Sequence, residues 1–267
     1  TGTADVMSLY IHLMALFSLV LLGLMVRAGF QWKYPSFVAY YALVVAGDGF
    51  FGYVGPWFDF NYQMLWYYNL YWVLECVEHL LKIVIALGFY WTVLADYPNL
   101  RRMLDGFFYG AILLLSVLFV VGYEPSGSLL YTISIYLGKW VFLLVAVVCT
   151  FILVVRRLTG IVMERALLFI VSGFLVFSLT QCLNFFYLEA AHPQLDGFWR
   201  YFYQLSYIWP QMLWLVATVI PKEVAVAGTK PVAGLQGELL RRMRRLDAAS
   251  GEALGRLNPF RAPGEPR

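Results

Sequence analysis

The sequence predicts an all-α integral membrane protein, a bundle of seven transmembrane helices with its N-terminus outside the cytoplasm and its C-terminus inside. Three observations lead to this prediction. Only 13% of the 267 residues are charged and the mean hydropathy is +0.71, whereas soluble domains carry about 25% charged residues. Long apolar runs recur along the chain, and lysine and arginine are concentrated in alternate connections between them.

Seven segments approach the roughly 20 apolar residues that a helix needs to cross a bilayer. No water is available there to satisfy the backbone, so each span is expected to be helical. Glycine and proline mark the turns between segments. The first segment has no preceding positive charge and no cleavage site after it, so we interpret it as a span and not as a signal peptide. The predicted spans are 6–26, 36–54, 65–94, 107–122, 129–155, 166–187 and 198–220.

The orientation follows from the distribution of positive charge. Cytoplasmic loops of membrane proteins are enriched in lysine and arginine. The first, third and fifth connections and the C-terminal tail carry these residues, whereas the N-terminal tail and the second and fourth connections carry none and the sixth carries only Arg200. The deciding residues are Arg27, Lys33, Arg101, Arg102, Arg156, Arg157, Arg165, Lys222 and Lys230. We therefore expect a multi-pass protein of the cell membrane, with the odd-numbered loops and the tail in the cytoplasm.

Two regions are expected, a seven-helix transmembrane domain over 1–223 and a cytoplasmic tail over 224–267. Within the tail, apolar residues recur at helical spacing from 235 to 246 with four arginines between them. This pattern predicts a basic amphipathic helix over about 234–246, which we expect to lie on the anionic inner leaflet of the bilayer rather than to dock on a partner. The last residues, 257–267, are expected to be disordered, and we expect no attached catalytic domain.

The third predicted span carries the most informative polar residues. Glu75, Glu78, His79 and Lys82 fall at i, i+3, i+4 and i+7, so a helix places them on one stripe. A charge in the bilayer costs about 2.5–3.5 kcal/mol on insertion scales, so this stripe should face the interior of the bundle. Polar residues on the other spans also lie towards their outer ends. We therefore expect a polar cavity that opens to the extracytoplasmic side.

Aromatic and polar neighbours complete the candidate site. Three aromatic residues lie one turn above the stripe on the same face and are suited to wall a pocket for an aromatic, cationic or lipid-like ligand. Two readings stay open, a binding site for a small ligand or a proton, and an internal salt-bridge network that only fixes helix packing. The candidate ligand-binding residues are Asp48, Tyr68, Tyr71, Trp72, Glu75, Glu78, His79, Lys82, Lys139, Gln181 and Gln204.

Several classes of protein are disfavoured by what the spans contain. Only His12 and His79 are intramembrane histidines and they differ in depth, too few for a bis-histidine haem or a zinc hydrolase. The seventh span has no lysine for a retinal Schiff base, and no nucleotide-binding glycine loop or Ser-His-Asp set is present. We expect no enzyme, no cofactor, no metal and no nucleic-acid partner. The predicted arrangement of seven spans resembles that of seven-helix receptors and sensors, and the resemblance is one of topology alone.

Three functions remain as hypotheses. The first is a receptor-like or sensory protein that binds a small ligand or a proton in the cavity and signals to a cytoplasmic or membrane protein partner. The second is a small proton-coupled secondary transporter, for which a similarity between spans one to three and five to seven is an indication. The third is a structural subunit of a larger membrane complex, in which the buried charges lock the fold.

Overall fold

The computed structural model describes residues 2–51, 65–121, 129–159, 163–190, 196–220, 225–226 and 235–257, and these are almost wholly helical, which confirms the all-α class. The helices are α1 (Gly2–Arg27), α2 (Phe30–Lys33), α3 (Pro35–Gly49), α4 (Leu65–Val93), α5 (Pro98–Val121), α6 (Leu129–Thr159), α7 (Arg165–Ala190), α8 (Asp196–Val219) and α9 (Leu235–Leu257). Two short strands, β1 (Met163–Glu164) and β2 (Ala225–Val226), pair antiparallel.

Most helix bounds agree closely with the predicted spans, and the differences have local causes. Helix α5 begins at Pro98 rather than at 107, because proline favours the first turn of a helix and the polar turn after it continues the helix beyond the apolar run. Helix α9 runs to Leu257 rather than to 246. Helix α3 is described to Gly49, and the predicted end of the second span at 54 lies outside the described residues.

Two of the described helices are long and apolar enough to cross a membrane, α6 over Leu129–Arg157 and α7 over Arg165–Phe185. A shorter apolar helix covers His12–Arg27. Length and composition thus agree with association with a membrane. The full set of seven spans and its orientation stay predictions.

Six long helices form a closed ring, and two further long helices among the described residues, α5 and α9, lie outside it. Around the ring each helix packs on the next, in the order α1, α3, α4, α6, α7 and α8, and α8 returns to α1. Helix α5 lies beside this ring against α6 and α9. The predicted similarity between the first three and last three spans would divide the ring into two consecutive halves, with the fourth span outside both.

An aromatic plug, formed by Phe37, Tyr40, Tyr41, Phe174 and Trp214, fills the middle of the ring. The ring centroids of Phe37, Phe174 and Trp214 lie 5.2 to 5.6 Å apart. These edge-to-face and tilted pairs add to the free energy gained from apolar burial. The basic end of the bundle is the end at which Arg27, Lys33, Arg156 and Arg157 lie. Between the plug and this end the core is apolar.

The indole of Trp214 depends on a glycine. It donates a hydrogen bond of 3.2 Å to the backbone oxygen of Ile170 on the neighbouring helix. A Cβ at Gly173 would overlap the indole nitrogen. Gly173 therefore permits α7 and α8 to approach closely enough to place this ring in the plug.

Glu164 joins three parts of the chain at the basic end of the bundle. Its carboxylate pairs with Lys33, and it accepts a hydrogen bond of 2.8 Å from the hydroxyl of Tyr34. Burial, together with this bond and the charge of Glu164, raises the pKa of Tyr34, so the hydroxyl stays a donor at physiological pH. The backbone of Glu164 pairs with Ala225, which follows α8. The first connection, the start of α7 and the segment after α8 are thereby held together.

The C-terminal helix is amphipathic, and part of its apolar side lies on the protein, since Met243 is buried whereas Leu246 is exposed. Helix α9 packs against α5 and α6, with Met243 buried in the main core and Asn99 donating a 3.3 Å hydrogen bond to Asp247. Among its arginines, Arg241 and Arg242 are exposed. The predicted placement on the leaflet did not include this docking, because Met243 and Asp247 contact residues that are remote in sequence.

We predict that Gly173→Ala lowers the free energy of unfolding by about 1–3 kcal/mol, because the added methyl group displaces the Trp214 indole from a packed core. Thermal unfolding of the purified protein in detergent measures this. Gly88→Ala is the matched control, since a Cβ at Gly88 meets nothing within 4 Å and should stabilise α4 by up to about 1 kcal/mol. Equal effects of the two substitutions would contradict the packing described for Trp214.

Candidate functional site

A cavity of about 230 Å³ lies inside the ring of helices, on the far side of the aromatic plug from the basic end. Its volume accommodates several water molecules or one small ligand, since a water occupies about 30 Å³ in the liquid. Five helices contribute to its wall. The lining residues include Tyr40, Tyr41, Asp48, Tyr71, Trp72, Glu75, Glu78, His79, Lys82, Ser134, Phe142, Phe177, Gln181, Asn184, Tyr207, Gln211 and Trp214.

Helix α4 contributes the charged stripe. Its side chains become less exposed along the helix, from 30% at Glu75 to 17% at Glu78 and 3% at Lys82. The cavity is therefore accessible near Glu75 and closes at Lys82. The helical spacing in the sequence is sufficient to place these groups on one wall.

Lys82 lies at the closed end and is held from several sides. Its ammonium nitrogen lies 3.5 Å from the Glu78 carboxylate and 3.3 Å from Nδ1 of His79. The rings of Phe142 and Tyr40 lie 5.0 and 5.3 Å away by centroid, a distance at which aromatic faces attract a cation. An ammonium group has only donors, so Nδ1 of His79 accepts and the ring proton resides on Nε2.

His79 is 2% exposed and lies against α6. Its Nε2 is 3.9 Å from the Glu75 carboxylate, which accepts a 3.2 Å hydrogen bond from the Tyr71 hydroxyl. A Cβ at Gly138 would lie only 2.8 Å from Nε2. Gly138 thus leaves the space that the imidazole occupies between the two helices.

Two buried polar atoms of residues that line the cavity have no hydrogen-bond partner among the described residues, Nε1 of Trp72 and Oε1 of Gln211. The Tyr41 hydroxyl is engaged by Ser18. The other end of the Gln211 amide is occupied, since Nε2 donates a 3.0 Å bond to Ser18. Buried polar atoms are nearly always paired with protein, ordered water or a ligand. One indole donor and one amide acceptor beside the cavity are thus left without a described partner.

The formal charge of the lining is negative. Asp48, Glu75 and Glu78 provide three carboxylates, whereas Lys82 is the one lysine or arginine among the lining residues described. Unless protons or a bound cation balance them, two negative charges are left in a region of low dielectric. Asp48 also lines a largely apolar recess of about 400 Å³ between α1 and α3, beside His12 and Ser18.

Most of the predicted site residues lie together, and two of the described ones, Tyr68 and Lys139, do not line the cavity. The structure brings Asp48, Tyr71, Trp72, Glu75, Glu78, His79, Lys82 and Gln181 to the cavity wall. Tyr68 instead packs edge-on against Trp72 at 5.9 Å, and Lys139 lies 5.8 Å from the ring of Trp140. The spacing in the sequence predicted that Tyr68 lies one turn above the stripe, but it did not show that this side chain lies outside the cavity lining. The side chain of Gln204 lies outside the described residues. The ligand-binding role of the whole set stays a prediction.

Sequence reasoning missed part of the lining. Tyr40 and Tyr41 precede Asp48 by eight and seven residues on α3, a spacing of two helical turns that places them on its face. Gln211 follows Pro210, which lies inside α8. Phe142, Phe177 and Trp214 carried no signal, because apolar aromatics are common on every span.

Within the described residues, no group of three or more histidine, cysteine or acidic side chains is arranged to hold a metal ion. Compared with known protein families, curated proteins and solved structures, the chain gives no match. The interpretation of the site therefore depends on its own geometry.

We predict that Lys82→Met destabilises the protein on the order of 3 kcal/mol, because it leaves the Glu78 carboxylate buried without its cation. Glu75→Gln should cost less than about 1 kcal/mol, since that side chain is partly exposed. Thermal unfolding of the two variants gives the comparison.

The double variant Lys82→Met/Glu78→Gln tests the cause. Removing both charges should recover part of the loss, as a coupled pair requires. A double variant no more stable than Lys82→Met would contradict the pairing.

Proposed function

We propose that this chain is a receptor-like or sensory membrane protein of seven spans that binds a small organic cation in the cavity beside Glu75. The proposal includes an extracytoplasmic N-terminus and a cytoplasmic tail in the cell membrane. The observation that carries it is a cavity, accessible near Glu75, whose wall combines three carboxylates and one lysine with two polar atoms that lack a described partner. A purely structural salt-bridge network would pair its charges and leave no such atoms.

The charge and the aromatic lining together indicate the class of ligand. A protonated amine would balance part of the negative charge and would donate hydrogen bonds to the carboxylates and to Oε1 of Gln211. The aromatic walls attract organic cations through their ring faces. Nε1 of Trp72 would donate to an acceptor elsewhere on the ligand, such as a hydroxyl group. A small amino alcohol combines these features and fits about 230 Å³.

The closed floor supports a sensor rather than a carrier. The plug of Phe37, Tyr40, Tyr41, Phe174 and Trp214 separates the cavity from the basic end, and the core beyond it is apolar. Alternating access requires a path on both sides of a site. Tyr40 and Tyr41 belong to both the plug and the cavity wall, so a ligand that shifts them would also shift α3 against α7 and α8. That movement is the proposed signal to a protein partner.

A proton-coupled transporter is the alternative, and one observation favours it. The ring consists of two consecutive groups of three helices with α5 outside, as expected for a repeat of three helices joined by a linking helix. Flux of a labelled amine into proteoliposomes under an imposed pH gradient separates the two functions. We expect no gradient-driven flux from a sensor, and sustained flux would favour the transporter.

We predict that ethanolamine stabilises the purified protein against thermal unfolding, whereas ethylene glycol, its uncharged counterpart of similar size, does not. Binding to the folded state alone adds about 2.7 kcal/mol at a hundred times the dissociation constant. Asp48→Asn and Glu75→Gln should weaken the effect about tenfold each, because each removes one attractive charge. Trp72→Phe should weaken it less, because one hydrogen bond to a neutral donor is lost.

Glu252→Gln is the matched control, an acid on the exposed face of α9 that is remote from the cavity. It should leave the stabilisation unchanged. Equal stabilisation by ethylene glycol, or an equal loss in Glu252→Gln and Glu75→Gln, would rule out a cation site in the cavity.

A further inference from the structure

A second pocket lies at the opposite, basic end of the bundle. Its volume is about 660 Å³, larger than that of the central cavity, and the charge of its wall has the opposite sign. The end of α1, the turn at Gly29, the start of α7 and the end of α8 surround it. The lining includes Leu24, Arg27, Phe30, Lys33, Glu164 and Arg165.

The acid in this pocket is already engaged. Glu164 pairs with Lys33 and accepts the hydroxyl proton of Tyr34. Arg27 and Arg165 therefore remain as two positive charges without a carboxylate on the described wall. Nε of Arg165 is buried and has no hydrogen-bond partner within the described residues. The Arg165 side chain as a whole is half-buried and Arg27 is exposed, and guanidinium groups are suited to bidentate anions.

The position of Arg165 strengthens the case for an anion. It is the first residue of α7, and the first turn of this helix contains no acid. The N-terminus of a helix carries a partial positive charge and backbone N–H groups without partners inside the helix. A cation there is unfavourable by itself. An anion between Arg165, the first N–H groups of α7 and Arg27 would relieve both the dipole and the two guanidinium charges.

The surroundings of the pocket indicate the kind of molecule that carries the anion. Leu24, Phe30 and Val219 provide an apolar wall next to the charges, and Val219 is itself exposed. Trp32, on α2, is 85% exposed. Exposed tryptophan and arginine beside an apolar surface are typical of the level of lipid headgroups at a membrane interface.

We propose that this pocket, with Arg27 and Arg165 at its centre, binds a phosphate group, carried by an anionic phospholipid or by a free phosphate. Lys33 stays with Glu164 and shapes the wall. The bound phosphate links the end of α1 to the start of α7. It thereby stabilises the end of the bundle at which the first and fifth connections meet.

The experiment measures binding to the full chain in neutral detergent by native mass spectrometry and by thermal unfolding. The probes are short-chain phosphatidylglycerol, short-chain phosphatidylcholine and inorganic phosphate. We expect phosphatidylglycerol to be retained and to raise the unfolding temperature, and phosphatidylcholine to do neither. Protection by phosphatidylglycerol without protection by inorganic phosphate assigns the site to a lipid. Equal protection by inorganic phosphate, with competition between the two, assigns it to a free phosphate.

Arg165→Gln and Arg27→Gln should each weaken binding about tenfold or more, because each removes a charge-assisted hydrogen bond. Arg102→Gln is the matched control, an exposed arginine of α5 that does not line the pocket. Should Arg165→Gln fail to fold, Arg27→Gln provides the same comparison. The proposal is overturned if neither phosphatidylglycerol nor inorganic phosphate protects the protein. It is also overturned if Arg102→Gln weakens binding as much as Arg27→Gln does.

Discussion

The burial of charge on α4 is the constraint on which the rest of the structure depends. Lys82 is almost fully enclosed, so its ammonium has to find its counter-charge and its polar contacts inside the bundle. It does so through Glu78, His79 and two aromatic faces from α3 and α6. His79 in turn requires the bare backbone of Gly138. One buried cation thereby determines how closely α3, α4 and α6 approach one another.

The aromatic plug divides the ring into two halves with different properties. On one side lies a small cavity with excess carboxylates, and on the other an apolar core that ends in arginines and lysines. The separation keeps the negative cavity and the positive end apart, so neither neutralises the other. Trp214 occupies the boundary, and its hydrogen bond to Ile170 fixes α8 against α7 at that level. Packed aromatic rings therefore lie between the cavity and the basic end.

The basic end has its own organisation. Glu164 holds Lys33 and Tyr34, and its backbone joins the strand that follows α8. Helix α9 packs on α5, which also lies outside the ring, and on α6, which belongs to it. The first and last parts of the chain are therefore connected at the same end.

The helices and the charged stripe were accessible from the sequence, because both depend on short-range patterns. Apolar runs bounded by proline and glycine determined the ends of most helices, and the spacing of Glu75, Glu78, His79 and Lys82 placed them on one face. The partners of that face were decided by tertiary packing alone. The sequence does not show that α5 leaves the ring, that Tyr41 and Gln211 line the cavity, or that Arg165 meets Arg27 across a pocket. These contacts join residues far apart in the chain, and they depend on how whole helix surfaces fit together.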